Sequence, residues 1–395
     1  MTFVENRAVI SGVGQSAIGR KLGRSGWDLG VEAALNAIAD AGLTPDDIDG
    51  VASYPGPVGA EGGFVGATTH DIRNALGLKS SWYTSGVETA GQIGTLLDAC
   101  AMVASGRATH VLAFRSVWES TAQAAIGRAK AITGHMTRAS GHTAWRVPFG
   151  AASAANWIGM YAQRYMHEHG LTREQLGNVA INARRNAALN PNAIFTAPMT
   201  MEDYLGARMI SWPFGLFDCD IPADGATAII ISRREATAGL RRPPLTIESA
   251  GSAMYERHSW DQRNDLTTMA AHDVARAMWA GTSLTAADVD FATLYDGFTY
   301  LTLQWIDAFG FAEHGKAGVF MEDLDRFSKD GDFPINTHGG QLSGGRLHGY
   351  GFVHEACVQL WGDAGERQIT KDVEVAAVGV GGGPEGGCLL LRRES

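Results

Sequence analysis

The chain has 395 residues, 45% of them hydrophobic and 19% charged, and these proportions are typical of a globular protein rather than a disordered one. Its length predicts about two to three domains. The net charge of -10 predicts that the protein has no nucleic-acid-binding surface, and no apolar run approaches the ~20 residues that a membrane span needs.

The first part of the chain alternates predicted strands and helices. A β-branched strand over 8–12 precedes an Ala-rich helix over 29–41, a short apolar strand over 50–54 and a later strand over 110–114. The segment 119–164, rich in Ala, Gly and His, then breaks this order. We predict that it forms a long insertion or lid.

The second part of the chain repeats the first. Residues 43–49 (LTPDDID) reappear as 284–290 (LTAADVD), an offset of 284 − 43 = 241. Each copy follows an Ala-rich helical stretch and precedes a short apolar strand, which predicts two similar α/β halves packed face to face, each with a mostly parallel sheet. The Pro-containing joint at 240–244 places the predicted boundary between residues 1–240 and residues 241–395.

Two local patterns suggest a cofactor or a metal, and neither is sufficient. Gly12 and Gly14 match a loosened dinucleotide fingerprint, but no amphipathic helix follows at once, so a tight turn is the better interpretation. His167 and His169 are two residues apart and therefore face different sides of a helix. The sequence predicts no metal site.

The cysteines are predicted to be buried thiols rather than nucleophiles. None of them opens a helix after a turn, where the helix dipole would lower a thiol pKa, and none has CxxC spacing; they are Cys100, Cys219, Cys357 and Cys388. The amino terminus shows no secretion signal. A reducing compartment, the cytoplasm, is therefore expected.

Two segments of the second half combine glycines with a tyrosine. Tyr295 follows a predicted strand in the segment Tyr295-Asp-Gly-Phe298, and Tyr350 lies in the Gly-rich segment 336–351 that leads into a helix. Ligands bind at the carboxyl edge of open α/β sheets, and glycines bring backbone N–H groups close to a ligand. Each tyrosine is therefore either an ordinary packed residue or part of a site.

The segment 190–231 (NPNAIFTAPMTMEDYLGARMISWPFGLFDCDIPADGATAIII) resembles the thiolase superfamily, in particular its sterol-carrier-protein and lipid-transfer-protein branch. The shared features are its Asn-Pro, Pro-hydrophobic-Thr and Asp-Gly-Ala blocks, and the internal repeat extends the resemblance over nearly the whole chain. The resemblance implies a five-layer αβαβα fold built from two duplicated βαβαβαββ halves, with an acyl-CoA site between them.

The chain departs from that family at the residues that carry acyl transfer. The position of the nucleophilic cysteine falls at Glu88 or Thr89, and the family's Gly-His-Pro block reads Gly-Arg-Leu-His-Gly-Tyr, with Arg346 at the histidine position. The family's later cysteine falls at about Gly379. Transfer through an acyl-cysteine has therefore lost its nucleophile.

The aldolase members of the branch resemble this chain because they carry tyrosines in the same two blocks. The resemblance implies a lyase that cleaves a β-hydroxyacyl-CoA, with a steroid or bile-acid side chain, to a ketone and a short acyl-CoA such as propionyl-CoA. It implies proton transfer by Tyr295 and Tyr350. The implied supporting and oxyanion-binding residues are Arg346, His348, Asp296, Gly382 and Gly383.

The resemblance also implies partners. We expect an acyl-CoA substrate, no cofactor other than the CoA of that substrate, a homodimer, and a separate small subunit with an OB-fold and a zinc ribbon. Two alternatives stay open: a non-catalytic acyl-CoA or lipid carrier of thiolase fold, and an acetyl-CoA acyltransferase that uses Cys219 or Cys388.

Overall fold

The computed structural model describes residues 4–55, 62–86, 89–127, 141–257 and 262–394. Its strands are β1 (Ala8–Gln15), β2 (Gly50–Ser53), β3 (Trp82–Ser85), β4 (His110–Trp118), β5 (Met209–Ser211), β6 (Phe214–Gly215), β7 (Asp224–Arg233), β8 (Leu245–Gly251), β9 (Phe291–Leu294), β10 (Val375–Gly382) and β11 (Glu385–Arg393). Its helices are α1 (Gly26–Ala41), α2 (Thr69–Leu76), α3 (Gly94–Ala104), α4 (Glu119–Ile126), α5 (Ala154–His169), α6 (Arg173–Ala187), α7 (Met201–Gly206), α8 (Ala270–Trp279), α9 (Thr299–Phe309), α10 (Ala317–Phe320) and α11 (Gly349–Trp361).

The first strand and the first helix illustrate how local sequence sets these elements. The hydroxyl of Ser25 caps α1 by accepting the N–H of Asp28, and Gly42 ends the helix in the left-handed conformation. The prediction of a tight turn at Gly12 and Gly14 is wrong, because both glycines lie inside β1. A Cβ on Gly14 would lie 2.3 Å from the backbone nitrogen of Ala37, so these glycines permit the close packing of α1 on β1.

The two halves have the same strand order and directions, except that the first half has one additional edge strand, β3. In the order β3-β2-β4-β7-β1, β2 runs parallel to β3 and β4, and β7 runs antiparallel to β4 and β1. The second half continues as β8-β11-β10-β9, with β9 parallel to β10 and β11 antiparallel to β10 and β8. The predicted duplicated α/β fold is confirmed. In each half one strand, β7 or β11, runs antiparallel to both of its neighbours.

The halves meet in two ways. Their sheets join edge to edge between β1 and β8, through the residue pairs Val9–Thr246 and Ile10–Leu245. Helices α3 and α11 lie between the two sheets, and α11 contacts β9 and β10 of its own half as well as β1 and β7 of the other. The prediction that the two halves face each other did not include this pairing of β1 with β8.

The outer helices complete five layers. Along β7, Ala228 and Ile230 pack with α1, while Ile229 and Ile231 belong to the core on the opposite face, which includes α3. Helices α8 and α9 cover the outer face of the second half-sheet. This alternation of buried side chains gives the order α, β, α, β, α that the family resemblance implies.

The predicted insertion at 119–164 contains α4 and the start of α5, whereas its residues 128–140 lie outside the described part of the chain. The predicted boundary after residue 240 falls in the connection between β7 and β8. None of the helices within the described residues is long and apolar enough to cross a bilayer.

Candidate functional site

A cavity of about 290 Å³ lies between the two halves. It forms where β2 and β9 end, because Tyr54 directly follows β2 and Tyr295 directly follows β9. The turn that leads into α3 adds Gln92, and the residue before α11 adds His348. The site therefore combines strand carboxyl ends with two helix amino ends, the region where α/β folds bind ligands.

Tyr295 is the predicted catalytic tyrosine that borders this cavity. Its side chain is buried, and its hydroxyl oxygen accepts a hydrogen bond of 2.9 Å from Nε2 of Gln92. Burial, and then the nearby Asp220, raise the pKa of Tyr295 above its usual value. The phenol is therefore neutral near pH 7, and because Gln92 donates to its oxygen, its own proton can be donated to a substrate.

Tyr350 lies behind the cavity rather than on its lining. It occupies the first turn of α11, its side chain is fully buried, and its hydroxyl lies 3.1 Å from Oγ1 of Thr95. Burial raises the pKa of Tyr350 as well. The structure thus brings the two predicted tyrosines to the same region, but of the two only Tyr295 borders the cavity.

His348 directly precedes α11 and has a backbone conformation that is unusual for any residue other than glycine. Its φ is 60°, and its N–H donates to Oε1 of Gln341 at 3.0 Å. Its Nδ1 accepts hydrogen bonds from Arg115, at 3.1 Å from Nε and 2.7 Å from Nη2. Burial, and then Arg115 and Arg346, lower the pKa of His348 well below its usual value.

Arg346 lines the cavity and joins the two halves. Its guanidinium binds both carboxylate oxygens of Glu119 at 2.8 and 3.0 Å, and it binds Oδ1 of Asp220 at 2.9 Å. Although burial opposes the charged form, Asp220 and Glu119 raise the pKa of Arg346 above its usual value. Arg346 is therefore a permanent cation that is neutralised by the first half.

Asp296 binds the backbone of the Gly-rich segment 336–351. Its carboxylate accepts the N–H groups of Gln341 at 2.7 Å and Leu342 at 3.3 Å, and its side chain does not border the cavity. Burial raises the pKa of Asp296 to about 7. A Cβ on Gly340, whose φ is +57°, would lie 1.8 Å from this carboxylate, so the contact requires glycine there.

The two glycines predicted to bind an oxyanion are placed differently. Gly382 borders the cavity, whereas Gly383 does not. The N–H of Gly383 instead points to Sδ of Met269 at 3.3 Å. The N–H of Gly383 is thus taken up by Met269, and the oxyanion roles of both glycines stay predictions.

The helix start that carries the nucleophile in the thiolase family holds no thiol here. Glu88 lies outside the described residues, and Thr89 borders a neighbouring cavity while its hydroxyl donates to the carbonyl of Gly91 at 2.7 Å. Gly91 and Gln92 of this turn border the cavity, and Gln92 is the one with a polar side chain. Among the described lining residues there is no cysteine, and burial raises the pKa of Cys388.

The structure adds site residues that the sequence analysis missed. Tyr54, Gln92 and Asp220 line the cavity, and Arg115 and Glu119 hold His348 and Arg346. Arg115 could have been noticed in the sequence, because it is a charged residue inside the mostly apolar strand 110–118. A charge at such a position does not improve packing and so indicates another role. Across the described residues, no group of three or more His, Cys, Asp and Glu side chains is arranged to hold a metal ion.

Comparisons with known proteins agree with this architecture. Residues 9–210 match the family model described as thiolase, N-terminal domain, and residues 252–386 match the model described as thiolase C-terminal domain-like. The chain is 33% identical over 399 residues to a steroid side-chain-cleaving aldolase of Thermomonospora curvata, and the match covers 99% of each chain.

Two further relatives cover almost the same length. A 17-hydroxy-3-oxo-4-pregnene-20-carboxyl-CoA lyase of Mycobacterium tuberculosis is 32% identical, over 91% of this chain and 93% of its own. The solved structure of the Ltp2-ChsH2(DUF35) aldolase is 32% identical, with a TM-score of 0.86 and coverage of 98% of each chain.

Proposed function

Because the chain belongs to the thiolase family, we propose that it is a carbon–carbon lyase of that fold and not an acyltransferase. Its substrate is a β-hydroxyacyl-CoA formed on the side chain of a steroid. In support, one relative is named for cleavage of a steroid side chain and another for a hydroxylated pregnene carboxyl-CoA. The observation that carries this proposal is a phenol, that of Tyr295, in a cavity whose described lining offers no thiol.

The reaction is a retro-aldol cleavage. A base removes the proton of the β-hydroxyl, the bond between the α- and β-carbons breaks, and the β-carbon becomes a ketone. The bonding electrons move to the thioester as an enolate, whose α-carbon then takes up a proton. The products are the ketone and a shortened acyl-CoA, and no cofactor other than the CoA of the substrate takes part.

Tyr295 supplies one of the two proton transfers. Its hydroxyl is held by Gln92, and because the phenol is neutral near pH 7, it suits donation to the enolate carbon. The second proton role is that of the base, which must be a phenolate. Burial raises the pKa of both remaining candidate tyrosines, and the cation of Arg115 opposes that rise and so favours the phenolate. Tyr350 is the residue that the sequence predicts, and Tyr54 is a second tyrosine on the cavity lining.

The enolate oxygen needs hydrogen-bond donors. His348 borders the cavity, and because its Nδ1 accepts from Arg115, its Nε2 carries the proton. The backbone N–H of Gly382 is the second candidate. Donors fixed in place before the reaction stabilise developing negative charge without reorganising.

The remaining expectations complete the proposal. We propose a cytoplasmic homodimer that works with a separate small subunit, as the aldolase of known structure is named as an assembly with a DUF35 partner. The chain itself offers no cysteine ribbon for zinc, so the zinc-containing subunit is a second polypeptide.

The test is direct. The protein, alone and co-expressed with the candidate small subunit, is incubated with 17-hydroxy-3-oxo-4-pregnene-20-carboxyl-CoA, and the ketone and propionyl-CoA are measured by mass spectrometry. The Tyr295→Phe variant should lower kcat by about 10² or more. Tyr83→Phe is the matched control, because Tyr83 is exposed on β3 and does not border the cavity.

The same assay decides which tyrosine supplies the second proton transfer. A large loss in Tyr350→Phe with little change in Tyr54→Phe assigns the second proton role to Tyr350, and the opposite result assigns it to Tyr54. Tight binding of the CoA ester without turnover in any condition would refute the lyase and support a carrier. Condensation of acetyl-CoA that iodoacetamide abolishes would support an acyltransferase.

A further inference from the structure

Arg115 is a buried cation in the middle of a strand. It lies in β4 between Phe114 and Ser116, in a strand that is buried almost throughout, and it is 1% exposed. Among the described residues it forms no salt bridge with a carboxylate, and its hydrogen bonds go to the neutral imidazole of His348 and the carbonyl of Tyr54. A buried arginine without a hydrogen-bonded counter-ion is costly, which points to a function.

The guanidinium of Arg115 is directed at two groups of the candidate site. Nε and Nη2 both approach Nδ1 of His348, at 3.1 and 2.7 Å, and Nη1 donates to the carbonyl of Tyr54 at 3.0 Å. The guanidinium also stacks on the ring of Phe64, with its carbon 4.8 Å from the ring centroid. These contacts hold Arg115 from several sides, so its position relative to His348 is fixed.

We propose that Arg115 is a positioning residue that holds the imidazole of His348 in its neutral tautomer with the proton on Nε2, so that the cavity receives a fixed hydrogen-bond donor. The geometry leaves one arrangement. Arginine has only donors, so the ring nitrogen that it contacts must be the acceptor, and in a neutral imidazole the other nitrogen then carries the proton.

The surroundings of His348 allow no other charge state. The cations that face it are Arg115 from β4 and Arg346 from its own loop, and Phe64 packs on its ring at 4.6 Å between centroids. The carboxylates of Glu119 and Asp220 are bound to Arg346 instead. His348 therefore differs from a general base, because it cannot accept a proton without placing two cations side by side.

This inference rests on the proposed lyase only for its kinetic consequence, because the tautomer is a property of the free protein. In the lyase, the Nε2–H group would bind the thioester oxygen as it gains negative charge. Loss of one such donor typically lowers kcat by about 10²–10³. We expect His348→Ala to fall in that range and Arg115→Gln to lose at least about tenfold in kcat, with a smaller change in KM.

The first experiment needs no turnover. In the full-length protein with 15N-labelled histidine, the His348 signals, assigned by their absence in His348→Gln, should show an unprotonated Nδ1 and a protonated Nε2 at every pH from 5 to 8. In Arg115→Gln, the tautomer is no longer fixed, so Nδ1 should carry the proton in part of the molecules. The pKa of the ring should rise relative to the wild type because one facing cation is gone, and should stay below the ordinary histidine value because burial and Arg346 remain. Arg263→Gln is the control, because Arg263 is a buried arginine paired with Asp273 away from the cavity.

The second experiment measures coupling. If Arg115 acts through His348, the double variant Arg115→Gln/His348→Ala should be no slower than His348→Ala by more than about threefold, whereas independent roles would multiply the losses. Arg115→Lys should recover little, because a single ammonium cannot reproduce the forked contact. A protonated Nδ1 in the wild-type protein overturns the inference even if turnover is high, and absence of turnover with the expected tautomer overturns only the lyase.

Discussion

Replacement of Glu355 by glutamine should destabilise the protein in a pH-dependent way. Glu355 lies in α11, the helix that begins beside the candidate site, and its side chain is 1% exposed. Its carboxylate is bound by Nη2 of Arg367 at 2.9 Å and by the hydroxyl of Thr337 at 2.6 Å. Burial opposes its charge, but Arg367 and the hydrogen bonds prevail and lower the pKa of Glu355 from 4.5 to about 2.

The size of the effect follows from that difference. One pKa unit corresponds to about 1.4 kcal/mol, so the lowered pKa of Glu355 contributes about 3 kcal/mol to the free energy of unfolding near pH 7. Because the folded-state pKa lies below the unfolded value, this contribution is complete above about pH 4.5 and is lost as the pH falls through about 2. Glu355→Gln should therefore lose about 3 kcal/mol at pH 7 and much less at pH 2.5.

The measurement is urea unfolding followed by tryptophan fluorescence at pH 7, 4 and 2.5, for the wild type and the variant. Asp325→Asn serves as the control, because Asp325 pairs with Arg185 at the surface with its side chain 99% exposed, and no measurable change is expected. A difference between wild type and Glu355→Gln that is the same at all three pH values would refute the reasoning.

Three further predictions concern the cavity and its frame. Gln92→Leu removes the hydrogen bond to the Tyr295 hydroxyl and should lower kcat about fivefold, whereas an unchanged kcat would mean that this bond does not orient the phenol. Cys219→Ala should change turnover by less than about twofold, and a large loss would revive a cysteine mechanism. Gly349→Ala places a Cβ 2.3 Å from Val380 and should cost about 1–3 kcal/mol in thermal unfolding, while an unchanged melting temperature would show that the contact relaxes freely.

The duplicated fold could be predicted because its signals are local. The copy of 43–49 at 284–290 and the alternation of apolar strands with Ala-rich helices are visible in the sequence without any knowledge of packing. The edge contact between β1 and β8 could not be predicted, because it rests on two residue pairs that resemble any other buried strand positions. The placement of Gly12 and Gly14 inside β1 could not be predicted either. Glycine is required there because α1 packs closely on the strand, and the sequence does not show that contact.

The sequence predicts most of the candidate site residues in short segments of the second half. Tyr295, Arg346 and His348 belong to recognisable blocks, and the cavity contains all three. Gln92 and Asp220 come from distant segments of the other half and have no motif of their own, so only the folded chain brings them together. The position of Tyr350 behind the cavity could not be read from the sequence either, because its block shows no difference between a side chain on the lining and one packed behind it.

The bridge formed by Arg346 has a consequence for protein engineering. Its carboxylate partners, Glu119 and Asp220, both belong to the half before residue 240. In a chimera that takes one half from a homologue, the charges at these three positions stay matched only if that half supplies the corresponding residues. Exchange of one half is thus constrained by the match of charges on the two sides of the cavity.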